Sequence, residues 1–365
     1  MHFCTVVRGC VRKDWCGMKI LFGSACALAL CVSSAFAAES ALDTFGVQKF
    51  YPTKAGSVEW NSAHWAGGTA YTLSDWSEDS HDPLNWTEDH SSDESSGAFK
   101  IDGNGVMQMV ADGPRFHINS QKTYTAKTQF FLNTEFTAYF KSVQKGEDYS
   151  GMVLGVRTQA NAHGSDGDLC NATTYYARFR YDGKWDFEKE LKHPGSYYTS
   201  GSTAGDVGVQ PRLWDNSRTL PTGRWIGMKY IAYNLNSTTV HLEVWIDSTT
   251  NGEATGGGKW EKVGEANDDG TLWPGASYGA ATIDGCTYSD SKIAITEGHG
   301  TALMRADSDT PYYKKVSLRE IDPSGGCQLS TGCSTGIRPV RSYKGIFPVK
   351  KVYFDLNGRR VNPNK

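Results

Sequence analysis

Along most of the chain, apolar and polar residues alternate over short runs, and no stretch keeps a 3.6-residue apolar period for three turns. A period of two places alternate side chains on opposite faces of a pleated strand. It predicts strands over 105–111, 114–119, 134–143, 150–157, 173–181, 184–190, 224–234, 238–247, 259–266, 292–296 and 312–321, with helix nearly absent. Arg224 to Tyr233 and Val240 to Asp247 read as a hairpin turned at Asn234 to Ser237. Its core face would carry Ile226, Met228, Tyr230, Ala232, Leu242, Val244 and Ile246. About a dozen strands over roughly 280 residues, without an internal period or linker, predict an all-β fold: a two-sheet antiparallel β-sandwich of jelly-roll type. Trp60 to Gly97 sets four tryptophans among Ser, Asp and His, and is expected to form long loops over one edge.

The run Tyr175 to His193 departs from simple alternation, because aromatic rings and charges fall on the same faces. Asp182-Gly183 between two β-forming runs signals a two-residue type I′ turn. In that register Tyr181 faces Lys184, Arg180 faces Trp185 and Arg178 faces Phe187, so Tyr176, Arg178, Arg180, Trp185, Phe187 and Lys189 share one side. A three-residue loop would re-pair the strands and change these assignments. Arginines buried in a dry core are costly without carboxylate partners, whereas a wet groove lets guanidinium groups and flat rings sit side by side. The groove is the reading taken; the alternative is that the arginines pair with Asp or Glu and tie two strands together. The expected ligand contacts are Tyr176, Arg178, Arg180, Lys184, Trp185 and, from a separate strand, Arg115.

Three chemistries compete for such a groove. Asp186, Glu188 and Glu190 alternate along one strand, so Glu188 and Glu190 are candidates for an acid and base, although the Glu-x-Asp-x-x-Glu strand of a retaining glucanase is absent. A polysaccharide lyase needs a cation near a uronate carboxylate, a base and an acid; His193, Tyr197 and His117 are the further catalytic candidates beside the arginines. Asp166, Asp168, Asp268 and Asp269 lie in oxygen-rich, Gly-containing loops such as calcium uses, without the twelve-residue EF-hand pattern. No other cofactor is expected.

The two ends differ from this body. Met18-Lys19, the apolar Ile20 to Val32 and Ala35-Phe36-Ala37 form a secretory signal peptide, and no transmembrane segment is expected after its removal. Residues 1–17 have no role in that scheme and read as an upstream start codon. Beyond residue 37 four cysteines remain, Cys170, Cys286, Cys327 and Cys333. An even count in an exported chain suggests two disulfides with three possible connectivities; the short Cys327 to Cys333 interval favours a local loop, leaving Cys170 with Cys286. No cysteine or histidine spacing suits structural zinc. From Arg338 to Lys365 there are eight Lys or Arg and one acid, but the body before it is acidic, which argues against nucleic acid as partner. The expected organisation is 1–37 leader, 38–325 sandwich and 326–365 disulfide loop with basic tail.

Two resemblances add to this reading. Phe136 to Tyr139 (FTAY), Gly151 to Arg157 (GMVLGVR), Tyr175 to Pro194 and Gly223 to Asn234 together resemble the concanavalin A-like lectin/glucanase superfamily over roughly residues 98 to 322. That resemblance implies a bent sandwich whose concave sheet binds glycans, among relatives that include lectins, glucanases and alginate-type lyases. The alginate-lyase motifs are missing; Pro114 to His117 and Tyr139-Phe140-Lys141 do not match them, so no residue role is carried over. Lys351 to Val361 resembles the carboxyl-terminal sorting domain of the type IX secretion system, with Phe354 interrupting the usual order, and implies secretion machinery as a partner and delivery to the cell surface. The function expected is a secreted or surface protein that binds a plant or algal polysaccharide. A lyase or hydrolase of the same glycan is the first alternative, and a structural or adhesion protein the second.

Overall fold

The computed structural model describes residues 41–57, 59–63, 70–73, 87–91, 99–110, 115–119, 131–159, 173–191, 213, 219–270, 272, 282–283, 286–287, 294–306, 309–329, 333, 353–354 and 360–361. At 70–73, 87–91, 119, 282–283, 286–287, 353–354 and 360–361 it describes the backbone alone. The leader and its cysteines, Asp166, Asp168, Cys170, His193 and Tyr197 lie outside the described residues.

In chain order the first strands are β1 (Trp60–Asn61), β2 (Ala70–Leu73), β3 (Thr87–Ser91), β4 (Phe99–Asp102), β5 (Val106–Met109), β6 (Arg115–Asn119), β7 (Thr134–Lys141) and β8 (Gly151–Thr158). Then come β9 (Thr174–Arg180), β10 (Trp185–Glu190), β11 (Ile226–Asn236), β12 (Thr239–Asp247) and β13 (Glu261–Asp268). The last are β14 (Thr282–Ile283), β15 (Cys286–Thr287), β16 (Thr301–Arg305), β17 (Tyr312–Glu320), β18 (Tyr353–Phe354) and β19 (Arg360–Val361). Among the described residues there is no α-helix; 3-10 turns occur at 62–63 and at Pro323–Gly325.

A nine-stranded sheet runs β13-β12-β11-β7-β17-β5-β4-β2, with β1 also paired to β17, and a six-stranded sheet runs β10-β9-β8-β16-β6-β3. Every pairing between these strands is antiparallel. The expected two-sheet sandwich is therefore the fold. Its core joins the inner faces of both sheets: Phe99 meets Phe116 with ring centroids 5.2 Å apart, and Phe187 stacks on Tyr230 at 6.0 Å. Ile226, Met228, Tyr230, Ala232, Leu242, Val244 and Ile246 all lie in that core, as their alternation predicted.

Two strand expectations shift. Residues 294–296 are irregular, and the strand lies later, at β16. Its sequence TALMR offers only one β-branched residue, so its place is set by pairing to β6 and β8 on both sides rather than by propensity. Within the amino-terminal stretch read as loops, β1, β2 and β3 form short pairings to sheet neighbours. The disulfide Cys327–Cys333 closes the short loop expected at the carboxyl end, with Cα atoms 5.4 Å apart. A link from Cys170 to Cys286 lies outside the described residues.

The outer face of the larger sheet is covered by the segment 41–57, which runs over it as a strap. Backbone N–H groups of Phe50 and Tyr51 donate to the Glu135 carboxylate at 3.0 and 3.3 Å, and the Tyr51 hydroxyl donates to Glu243 at 2.8 Å. Isolated bridges join Val47 to Gly257 and Thr53 to Ile321. Beneath the strap Lys229 donates to Glu135 and Thr137 at 2.6 and 2.7 Å, and Arg319 also donates to Glu135.

Candidate functional site

The hairpin β9–β10 does not turn through two residues. Gly183 N–H donates to Arg180 O and Arg180 N–H to Lys184 O, both at 2.9 Å, so Tyr181-Asp182-Gly183 form a three-residue loop with Gly183 at φ 82°. A type I turn followed by a left-handed glycine is the usual chemistry of that loop, and it inserts one residue relative to a type I′ turn. The Asp182 carboxylate fixes it by accepting from Lys184 N–H at 3.1 Å and Arg180 Nε at 3.2 Å.

One extra loop residue moves every side chain to the opposite partner and re-sorts the faces. The register pairs Trp185 with Phe179, Asp186 with Arg178, Phe187 with Ala177 and Glu188 with Tyr176. The expected trough uniting Arg178 and Arg180 with Trp185 therefore does not form. Trp185 turns inward with Phe187, ring centroids 5.5 Å apart, and its indole lies against Gly264 of β13, where a Cβ would overlap the ring. Lys184 sits in the turn, its ammonium 3.5 Å from Asp182.

On the outer face of the smaller sheet, the register instead gathers most of the other candidates. Tyr176 and Arg178 of β9 lie beside Asp186, Glu188 and Glu190 of β10. Across β8 they adjoin Val153 and Gly155, which stand opposite Arg305 and Leu303 of β16; those in turn oppose Arg115 and His117 of β6. Acids thus occupy the edge strand, while arginines and His117 occupy three strands further in. Arg305 and Arg115 are direct cross-strand partners, a like-charge pairing that is unfavourable by itself and stays folded only with anionic groups nearby. Arg305 was not singled out from the sequence, because a lone arginine at the end of TALMR carries no local signal until β16 is placed between β6 and β8.

Every one of these polar side chains is buried, from 0% exposed for Tyr176, Glu188 and Glu190 to 6% for Arg305. Arg178 forms a two-pronged pair with Asp186, Nε to Oδ1 at 2.7 Å and Nη2 to Oδ2 at 2.9 Å, while its Nη1 lies 2.9 Å from Glu188. Arg180 reaches Asp186 at 3.0 Å and Asp182 at 3.1 Å. The strand-tying alternative thus holds for these two arginines, with geometry that charge-assisted, fork-to-carboxylate pairs favour. Tyr176 donates to Glu190 at 2.7 Å, and the Arg305 guanidinium lies 5.7 Å from its ring centroid.

Burial raises the Glu188 carboxyl above the ordinary glutamate value; Arg178 and Arg305 pull it back down, and Glu190 and Asp186 push it up again. Burial also lifts the Tyr176 phenol far above its usual value, with Glu190 adding to the shift. For Arg178, burial favours the neutral form, but Asp186 and Glu188 more than reverse it and keep it charged. A carboxyl raised in the folded state weakens folding at neutral pH and weakens it less as pH falls through the folded value towards the unfolded one. Glu188→Gln is therefore expected to melt at or above the wild-type temperature at pH 7, the difference shrinking between pH 7 and pH 4. Melting curves of both proteins across that range check this, and a variant less stable at pH 7 contradicts it.

Of the calcium candidates, Asp268 does not suit a cation. Asp268 is fully buried and already accepts from the Lys189 ammonium at 2.7 Å, from the Tyr175 hydroxyl and from Gly270 N–H at 2.9 Å. The Lys189 ammonium already supplies the positive charge that Asp268 faces. His241, Glu243 and Glu265 bring possible ligand atoms within 4.8 Å of one another on the other sheet, but Lys262 lies among them, 3.3 Å from Glu243 and 2.6 Å from Glu265. These contacts join β12 to β13.

No protein-family model matches the sequence, and neither does any curated protein. Among solved structures, the chain is similar to an alginate lyase from Aplysia kurodai at 10% identity and TM-score 0.36, over 69% of this chain and 99% of that one. It is similar to the exoplasmic/lumenal domain of VIP36 at 11% identity and TM-score 0.35, over 70% and 90% of the two chains. A glucuronan lyase from Trichoderma reesei shows 10% identity and TM-score 0.31, over 76% and 96%. At these scores the assignment of a two-sheet sandwich rests on the strand pairings described above, and the site rests on its own geometry.

Proposed function

We propose that the outer face of the six-stranded sheet engages an acidic polysaccharide of plant or algal origin, in a protein delivered to the cell surface. The carrying observation is the assembly of Arg115, Arg305, His117 and Tyr176 on one sheet face beside a row of carboxylates. Arginine and tyrosine provide planar donors suited to uronate carboxylates and ring hydroxyls, and the rows of opposite charge would orient such a chain across the strands. Because these side chains are buried, binding entails uncovering the face. The signal peptide and the sorting-like tail supply the route to the surface, and the glycan-binding and lyase activities named for VIP36 and the two lyases accord with this reading of the chain.

A second reading, catalysis on the same glycan, is favoured by Glu188: a buried carboxyl held towards its neutral form beside Arg178 and near the Tyr176–Glu190 pair has the makings of a general acid. The Arg178–Asp186 fork favours a third, in which the face is a structural staple.

One screen separates them. The protein is incubated with alginate, glucuronan, pectin and β-glucans. Retention on an acidic glycan without product supports binding; absorbance near 235 nm supports a lyase, and new reducing ends without it support hydrolysis. Tyr176→Phe and Arg305→Gln are each expected to weaken retention about tenfold, the loss of one hydrogen bond to a charged group. No retention of the folded wild-type protein on any of these glycans overturns the reading in favour of the staple.

A further inference from the structure

On β8, Arg157 carries a charge that no carboxylate among the described residues balances. It is fully buried, and its backbone adopts φ 55°, a left-handed conformation that is uncommon for any residue other than glycine. The cause is a register shift in the β16–β8 pairing, where Thr301 stands opposite Thr158 but Leu303 stands opposite Gly155. The additional residue bulges β8 and turns Arg157 towards the inner face.

Part of the guanidinium has a structural task. Nη1 donates to Asn234 Oδ1 and to Ile295 O, both at 2.6 Å, while Asn234 Nδ2 donates to Thr296 O at 2.9 Å and Ile295 N–H donates to the Tyr175 hydroxyl at 2.9 Å. These bonds pin residues 294–296 across the end of the core. Nε and Nη2 have no hydrogen-bond partner, and neither has the buried Tyr230 hydroxyl, which lies within electrostatic range of Arg157. Among the described residues no carboxylate pairs with Arg157. The neighbouring Asp268 is neutralised by Lys189.

Among the described residues this buried positive charge thus lacks a counter-charge, and three donor groups lack acceptors. Such a charge is costly unless a counter-charge accompanies it, and each orphaned donor adds to the cost. Burial lowers the Arg157 pKa to about 10, so the group still carries its charge at neutral pH. One compensating charge is needed. A divalent oxyanion would overcompensate and would bring more acceptors than the site has donors.

We propose that Arg157 and Tyr230 bind a halide ion, held by the free guanidinium N–H groups and the phenol hydroxyl. The inference is independent of the glycan reading. The test is thermal melting of the whole protein in sodium chloride against sodium gluconate at equal ionic strength, with Arg157→Met and Tyr230→Phe alongside, and anomalous diffraction from crystals grown in bromide. The wild type should show a saturable rise of about 2–4 °C in chloride over gluconate. Arg157→Met should show none, Tyr230→Phe should saturate at roughly tenfold higher chloride, the equivalent of about one lost hydrogen bond, and a bromide peak should lie beside Nε and Nη2. An equal chloride response in wild type and Arg157→Met overturns the proposal. Should Arg157→Met not fold, an unshifted Tyr230→Phe midpoint with no bromide peak overturns it as well.

Discussion

Replacing Glu135 by glutamine is expected to lower the stability of the protein by about 3–5 kcal/mol, the scale measured when one partner of a buried ion pair is removed. Glu135 is 2% exposed and receives Lys229, Arg319 and the backbone N–H groups of Phe50 and Tyr51. Glutamine has nearly the same shape but no charge, so it leaves two buried cations side by side and loosens the strap at its centre. The carboxyl carries a second signature. Burial alone would raise its pKa, but Arg319 and Lys229 together lower it below the ordinary value. A carboxylate depressed in the folded state gives stability that is complete above the unfolded value, about 4.3, and lost as pH falls through the folded one. Denaturant titration at pH 7 checks the loss, and repeating it towards pH 3 should show the gap between variant and wild type closing. A gap that persists at pH 3 would assign the loss to packing instead of charge.

The other large effect concerns Trp185. Trp185→Ala is expected to cost about 3–5 kcal/mol, the range for truncating a buried aromatic side chain. It removes the ring that packs on Phe187 and fills the space over Gly264. Retention of the folded fraction on any glycan should not change, since the indole faces the core. A variant that kept wild-type stability but lost retention would restore the sugar-stacking role that the two-residue turn suggested for this tryptophan.

The contrast between turn and strand shows what the sequence made legible. Strands such as β7, β11 and β12 were readable because their apolar residues alternate over seven or more positions and one face is entirely core. The β9–β10 strands were readable as strands, but their faces were not, since Asp182-Gly183 suits either a type I′ turn or the end of a type I turn with a glycine bulge. The choice between them is made by contacts outside the hairpin: Tyr181 N–H donates to Ser150 O, and Leu213 N–H donates to Gly183 O. The chemistry of the site was half legible for the same reason. Tyr176, Arg178, Glu188, Glu190, Arg115 and His117 were singled out by type and do share a face, whereas Arg305 joins them only through sheet order, and Arg157 faces inward only because β8 bulges.

The strap over the larger sheet has a bearing on how the chain comes to be folded. Residues 47–53, near the start of the described body, find their partners at Glu135, Glu243, Gly257 and Ile321, and β1 pairs with β17. The closures onto Gly257 and Ile321 and the β1–β17 pairing cannot form until residues 257–321 are available, and contacts so distant in sequence go with folding on the millisecond-to-second scale. The strap of a newly made chain is therefore completed late, after most of the strands it lies across have been made.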